Sequence, residues 1–169
     1  MIWIENSVKD SVSRRRKLVW LALPALLLLM AGCAATGPRH TTIALENPSN
    51  AVVIIYRPSP PKNIFFTNSY HYVSAPDIYH EERELTELKV NAYTYIEIVP
   101  GVTTFSARDK VFGIPVPQLE IEIDAKAGQY YYLRYETQFS EETPAVLKFM
   151  PVELARQEIR KTRYSRASE

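Results

Sequence analysis

The chain has 169 residues, which suits one domain with a sizeable core, and its 20 Lys/Arg nearly balance its 19 Asp/Glu at a formal charge of +1. That balance excludes the basic footprint expected of a nucleic-acid-binding domain. One cysteine excludes a disulfide-stapled scaffold, and isolated glycines at 37, 101, 113 and 128 exclude phosphate loops and dinucleotide fingerprints.

In chain order, the first element is an apolar run, Leu18–Met30, behind the basic block Arg14–Lys17. The cations orient the segment with its start on the cytoplasmic side. The run is shorter than the ~20 residues that span a bilayer, so it reads as an export leader. It ends in Met30-Ala31-Gly32-Cys33, which resembles a bacterial lipobox. The resemblance implies cleavage between Gly32 and Cys33. It also implies a diacylglycerol thioether on Cys33 and an acyl chain, such as palmitate, on the freed amine. No other cofactor is expected. Lipidation also removes a lone thiol that would otherwise risk oxidation outside the cell. Ala34 stands where Asp would retain such a protein in the inner membrane, so the resemblance points to the outer membrane; the domain is expected to face the periplasm, an orientation that the sequence does not fix.

Residues 1–32 are then the signal peptide, 33–48 a lipidated tether, 49–150 the folded domain and 151–169 a C-terminal helix and tail. The tether is polar and holds Gly37, Pro38 and Pro48. Fully extended, residues 34–47 reach roughly 45–50 Å, enough to hold the domain clear of the lipid. Without residues 1–32 the chain holds 15 Lys/Arg and 17 Asp/Glu, a formal charge of −2.

The body alternates strand patterns with turns. "AVVIIYR" is a buried strand with Val52, Ile54 and Tyr56 on one face and Val53, Ile55 and Arg57 on the other. A weaker strand is expected around Tyr70–Val73, and another over Leu85–Val90 before a turn at Asn91. "AYTYIEIVPG" places Thr94, Ile96 and Ile98 opposite Tyr93, Tyr95, Glu97 and Val99. Its short link through Pro100-Gly101 predicts a hairpin with "VTTFSARD". Two alternate prolines keep "FGIPVPQ" out of a central strand. "LEIEIDA" has a dry face of Leu119, Ile121 and Ile123. Ala127-Gly128 predicts a second hairpin, with Tyr131, Leu133 and Tyr135 facing away from Tyr130, Tyr132 and Arg134. "AVLKF" reads as an edge strand. Pro151 opens a helix with a Val152, Ala155, Ile159 stripe, which frays into the tail. The fold class is mainly β: a β-sandwich of about seven antiparallel strands with a short C-terminal helix.

Four segments in order carry a further likeness: "YRP" (Tyr56–Pro58), "YTYIEIVPG" (Tyr93–Gly101), "AGQYYYLRY" (Ala127–Tyr135) and "PVELARQEIRKTR" (Pro151–Arg163). The set resembles small bacterial lipoproteins of the domain-of-unknown-function family twenty-eight forty-six, over about Ala51 to Arg163. The likeness implies a compact β-sandwich similar to PEGA-type surface modules, and no activity. "SAPDIYHEERELTEL" departs from the family pattern. It is longer than the expected Asp-Gly turn and lacks glycine, which leaves the hairpin there open and suggests a surface loop.

No catalytic constellation stands out. His80-Glu81-Glu82 lacks the second histidine of a zinc hydrolase, since position 84 is Glu, and reads as a solvated acidic loop. His71 reads as a strand residue. No metal site is expected. A candidate binding surface consists of Arg57 with Tyr93, Tyr95, Tyr130 and Tyr132, set against simpler roles in ion pairing and cross-strand packing. The expected function is a non-catalytic binding or envelope-structural module with a membrane contact through lipid and a protein partner in the envelope. Two alternatives stay open. One is a tether component resembling the transthyretin-like lipoprotein of type VI secretion. The other is a small-ligand binder or weak hydrolase.

Overall fold

Ala51–Arg57 (β1) is buried at every position, so both of its faces must be covered and it must lie inside a sheet rather than at an edge. The computed structural model, which describes residues 37–59, 75–111, 114–115, 117–137 and 145–165, satisfies this. The run expected to be a leader, with Gly32, Cys33, His71, Gly113 and the strand expected around Tyr70–Val73, lies outside the described residues.

The remaining elements are β2 (Asp77–His80), β3 (Arg83–Glu87), β4 (Ala92–Ile98), β5 (Gly101–Arg108), β6 (Lys110–Val111), β7 (Ile114–Pro115), β8 (Leu119–Ala125), β9 (Tyr130–Thr137), β10 (Ala145–Phe149), α1 (Val152–Ile159) and β11 (Arg163–Tyr164). Nine of these strands form two sheets among the described residues, in the orders β10-β9-β1-β4-β11 and β3-β2-β5-β8. β6 and β7 pair separately, outside both sheets, as the alternate prolines require. The mainly β class with one short C-terminal helix stands. Two pairings are parallel, β1 with β9 and β4 with β11.

The sheets close over one core. Val53, Ile55, Ile98, Leu133 and Tyr135 of the five-stranded sheet meet Ile78, Phe105, Ala107 and Ile123 of the four-stranded sheet. Those are the alternating positions that the two-residue period assigns to one face. A second apolar layer lies outside the five-stranded sheet. Val52, Ile54, Tyr56, Tyr93 and Tyr132 are covered there by Ala155 and Ile159 of α1 and by Ile43 and Leu45.

Both predicted hairpins are corrected. β4 and β5 belong to different sheets, as do β8 and β9. β4 is already bonded on both sides, by β1 and β11, and has no free edge for β5. Pro100-Gly101 and Ala127-Gly128 are therefore corners between sheets. Gly101 at φ 138° and Gly128 at φ 73° take the positive values that such corners need. The Tyr131 hydroxyl pins the second corner. It donates to the Asp124 carbonyl at 3.1 Å and accepts from the Lys126 N–H at 3.0 Å.

The hairpin left open at "SAPDIYHEERELTEL" does form, between β2 and β3. With no glycine available, Glu81 takes φ 54°, a conformation that costs a non-glycine residue about 1–2 kcal/mol. Two bonds offset that cost: the Glu81 N–H donates to the Thr104 carbonyl at 2.9 Å and its carboxylate accepts from Thr103 at 3.0 Å.

The tail also differs from expectation. α1 stops at Ile159, and Thr162 satisfies the Ile159 carbonyl through both its N–H (2.9 Å) and its hydroxyl (2.7 Å). Arg163–Tyr164 then joins the sheet beside β4 as β11, instead of fraying.

Residues 37–47, read as part of a free tether, lie against the domain. The Tyr164 N–H donates to the Pro38 carbonyl at 2.8 Å and the His40 N–H to the Thr162 carbonyl at 3.2 Å. Arg39 bridges Arg163. Tyr130 donates to the Ile43 carbonyl at 3.1 Å. Glu97 accepts from the N–H groups of Glu46 and Asn47. Ile43 and Leu45 supply the reason, since they cap tyrosines that the sheet would otherwise expose.

Candidate functional site

The strap 37–47 and α1 share the outer face of the five-stranded sheet without meeting along their whole length. The gap between them is an open cleft of about 690 Å³ lined by His40, Thr41, Thr42, Ile43, Ile54, Tyr130, Tyr132, Arg156 and Arg160. Each lining residue has a local reason for its place. Tyr130 and Tyr132 alternate outward from β9. Arg156 and Arg160 follow the buried residues Ala155 and Ile159 by one position each, four apart, and so flank the packed stripe of α1 on one side. His40 is held by its backbone bond to Thr162 and by an edge-on contact with the Tyr93 ring, centroids 5.1 Å apart.

The electrostatics favour an anion. Two guanidiniums line the cleft and no carboxylate is among its lining residues. A hydrogen bond from Arg156 to Tyr132 raises the guanidinium's affinity for its proton, with Glu153 adding a weaker attraction. Burial, helped by the nearby Arg160 charge, pushes the His40 imidazole below its usual value. The carboxylate closest in sequence, Glu158, is already engaged. It accepts from Tyr56 at 2.7 Å and from Arg134 at 2.9 Å.

The structure divides the predicted surface. Tyr130 and Tyr132 line the cleft, and Tyr93 touches it through His40. Tyr95 is 40 % exposed and leans on Tyr164, centroids 5.8 Å apart, beyond the cleft wall. Arg57 does not belong with them. It is 3 % exposed on the opposite face of β1, with its guanidinium 5.3 Å from the centre of the Tyr135 ring and one N–H directed at the Leu88 carbonyl. Burial pushes its pKa down, against the opposing pull of Tyr135 and Asp109. Tyr135 donates to Asp109 at 2.5 Å in the same interior cluster. Arg57 is therefore a core cation rather than a surface ligand.

Sequence reasoning missed Arg156, Arg160, His40 and Thr41–Ile43. The four-residue spacing of the arginines beside an apolar stripe was a readable signal. The strap was not, because nothing in "RHTTIA" announces which tyrosines it will cover.

His80 also has a structural place. Its ring stacks on Phe105 at 4.8 Å and its Nε2 lies 2.8 Å from the Thr103 hydroxyl. It ends β2 as a packed strand residue, while Glu81 and Glu82 form the turn.

A search of curated proteins and one of solved structures each returned no match. A family model described as "Protein of unknown function (DUF2846)" matches residues 47–147, from the end of the strap to β10. That match covers more than half of the chain and every strand of both sheets except β11 and the end of β10, and on it the protein belongs to the DUF2846 family.

Proposed function

We propose that the protein is a lipid-anchored, non-catalytic binding module at the outer membrane, with its domain facing the periplasm and its binding site in the cleft between strap and helix. In this reading the leader is removed before Cys33, and the cysteine carries the diacylglycerol and amide-linked acyl chains. Two acyl chains or more hold a small domain stably. The observation that carries the binding role is the pairing of two guanidiniums with two tyrosines in one open cleft free of carboxylates among its lining residues. Arginine forks match phosphate and carboxylate geometry, and tyrosine offers an apolar face with a polar tip. The ligand class is thus an anion carried on a partly apolar body.

The test uses the mature protein in zwitterionic micelles, titrated with inorganic phosphate and followed by NMR of the arginine side chains and the His40 ring. Saturable shifts at Arg156, Arg160 and His40, lost in Arg156→Gln/Arg160→Gln, are expected. Signals that stay still across the titration would remove the cleft as a binding site.

A further inference from the structure

We propose that the cleft seats anionic phosphate headgroups of the same bilayer that takes the anchor, so that the domain lies against the membrane with its strap-and-helix face down. This rests on the lipid-anchor and cleft readings above and names the ligand.

The first observation is where the chain becomes fixed to the domain. A Cβ added at Gly37 would fall 2.0 Å from the Tyr164 carbonyl oxygen, so the backbones meet there as only glycine allows. The Arg163 guanidinium donates to the Gly37 carbonyl at 3.3 Å, and Pro38 and His40 are bonded in turn to Tyr164 and Thr162. Four peptide steps separate Cys33 from Gly37, a reach of at most about 14 Å. A free tether of residues 34–47 would have let the domain stand off. A strap docked from Gly37 onward does not. His40, a lining residue of the cleft, follows Gly37 by three positions, so the cleft wall itself is tied close to the acylated residue.

The second observation is charge. Arg39, Arg156, Arg160, Lys161 and Arg163 gather in the strap, the helix end and β11, around the place where the chain docks. Of the carboxylates in the same layer, Glu158 is occupied by Tyr56 and Arg134 and Glu97 by the strap's own N–H groups, which leaves Glu153 as a weaker opposing charge near Arg156. Basic residues close to an anionic leaflet are drawn to it over about a Debye length, and the reach of residues 34–36 keeps this cluster near that range.

The third observation is the apolar content of the face. Leu154 of α1 is 42 % exposed, and Tyr95, 40 % exposed, leans on the half-covered Tyr164, while the half-covered Tyr130 lines the cleft. Tyrosine and leucine beside arginine form the composition that lies in a lipid interface.

The experiment uses mature acylated protein purified from cells and reconstituted into vesicles of phosphatidylcholine alone or with phosphatidylglycerol. Acylation of Cys33 leaves no free thiol, so Gln157→Cys on α1 or Glu122→Cys on β8 carries a single spin label. Both positions are exposed. Power saturation reads the depth of each label relative to the phosphate plane. With phosphatidylglycerol, the label at 157 is expected at the headgroups and the label at 122 in water. Adding Arg156→Glu/Arg160→Glu moves the first label into water while the protein still floats with the vesicles.

A label at 157 equally wet in both vesicles and in the charge variant, on protein that floats, overturns the headgroup contact and leaves the anchor standing. Protein that does not float overturns the anchor and the inference with it. Release of the label from phosphatidylglycerol vesicles by inorganic phosphate, where chloride of matched ionic strength does nothing, is competition for the cleft and supports the headgroup contact.

Discussion

Gly37 and Tyr164 meet backbone against backbone: a side chain at position 37 would begin 2.0 Å from the Tyr164 carbonyl oxygen. This contact turns a polar linker into a strap. The neighbouring Tyr164 N–H reaches the Pro38 carbonyl at 2.8 Å, and the strap then runs over the outer tyrosines of the sheet. Gly37→Ala should therefore peel the start of the strap from β11. Overpacking of this kind costs about 1–3 kcal/mol. Hydrogen exchange at the Tyr164 and His40 amides should accelerate in the variant, with a lower melting temperature. Unchanged protection at both amides would show that the strap docks without this contact.

Arg57 supplies the sharpest separation of core from surface roles. It is buried on the inner face, over Tyr135 and near Asp109. Arg57→Ala removes the cation's attraction to Asp109 from a low-dielectric interior, a loss of about 3 kcal/mol or more when a buried charge loses its counter-charge. Denaturant unfolding should show that loss, while the folded fraction keeps its phosphate-induced shifts at Arg156 and Arg160. Intact stability with abolished shifts would return Arg57 to the binding surface.

Helix α1 is clipped to the sheet by a shared carboxylate. Glu158 accepts from Tyr56 at 2.7 Å and from Arg134 at 2.9 Å. Burial first, then Glu158, raises the Tyr56 pKa well above its usual value, so the hydroxyl remains a donor. Tyr56→Phe deletes one charge-assisted bond, worth about 1.5–3 kcal/mol. The stability loss should fall in that range, with faster amide exchange in α1 than in β8. Equal exchange in both elements would mean that α1 is held by packing alone.

Acid should loosen the strap at its far end. The Glu97 carboxylate is held below the usual range, chiefly by the Glu46 N–H and further by Asn50 and Asn47. A depressed folded pKa gives stability that is fully present above the ordinary carboxylate value and is lost as pH falls through the folded one. Exchange at the Glu46 and Asn47 amides, corrected for intrinsic rates, should rise as pH drops below about 4. Glu97→Gln should show weaker protection already at neutral pH and little further change. A wild-type profile flat across that window would contradict this role for Glu97.

Much of the fold was legible because it follows from alternation. The two faces of β1, β4, β8 and β9 were readable residue by residue, and the strands carry them into the two apolar layers as expected. Sheet membership was not. A short link such as Pro100-Gly101 is compatible with a hairpin or a corner, and the choice depends on β1 and β11 occupying both edges of β4. The cleft was half legible. Tyr130 and Tyr132 were marked by alternation, whereas the strap's docking rests on one glycine contact with a residue far along the chain.

The central claim is that Cys33 is the acylated start of a chain whose domain is strapped down from Gly37. Intact mass spectrometry of the protein purified from cell membranes tests it most directly. The account predicts a polypeptide beginning at Cys33, heavier than its sequence by a diacylglycerol and an amide-linked acyl chain. A mass matching an unmodified thiol with residues 1–32 still attached would contradict it.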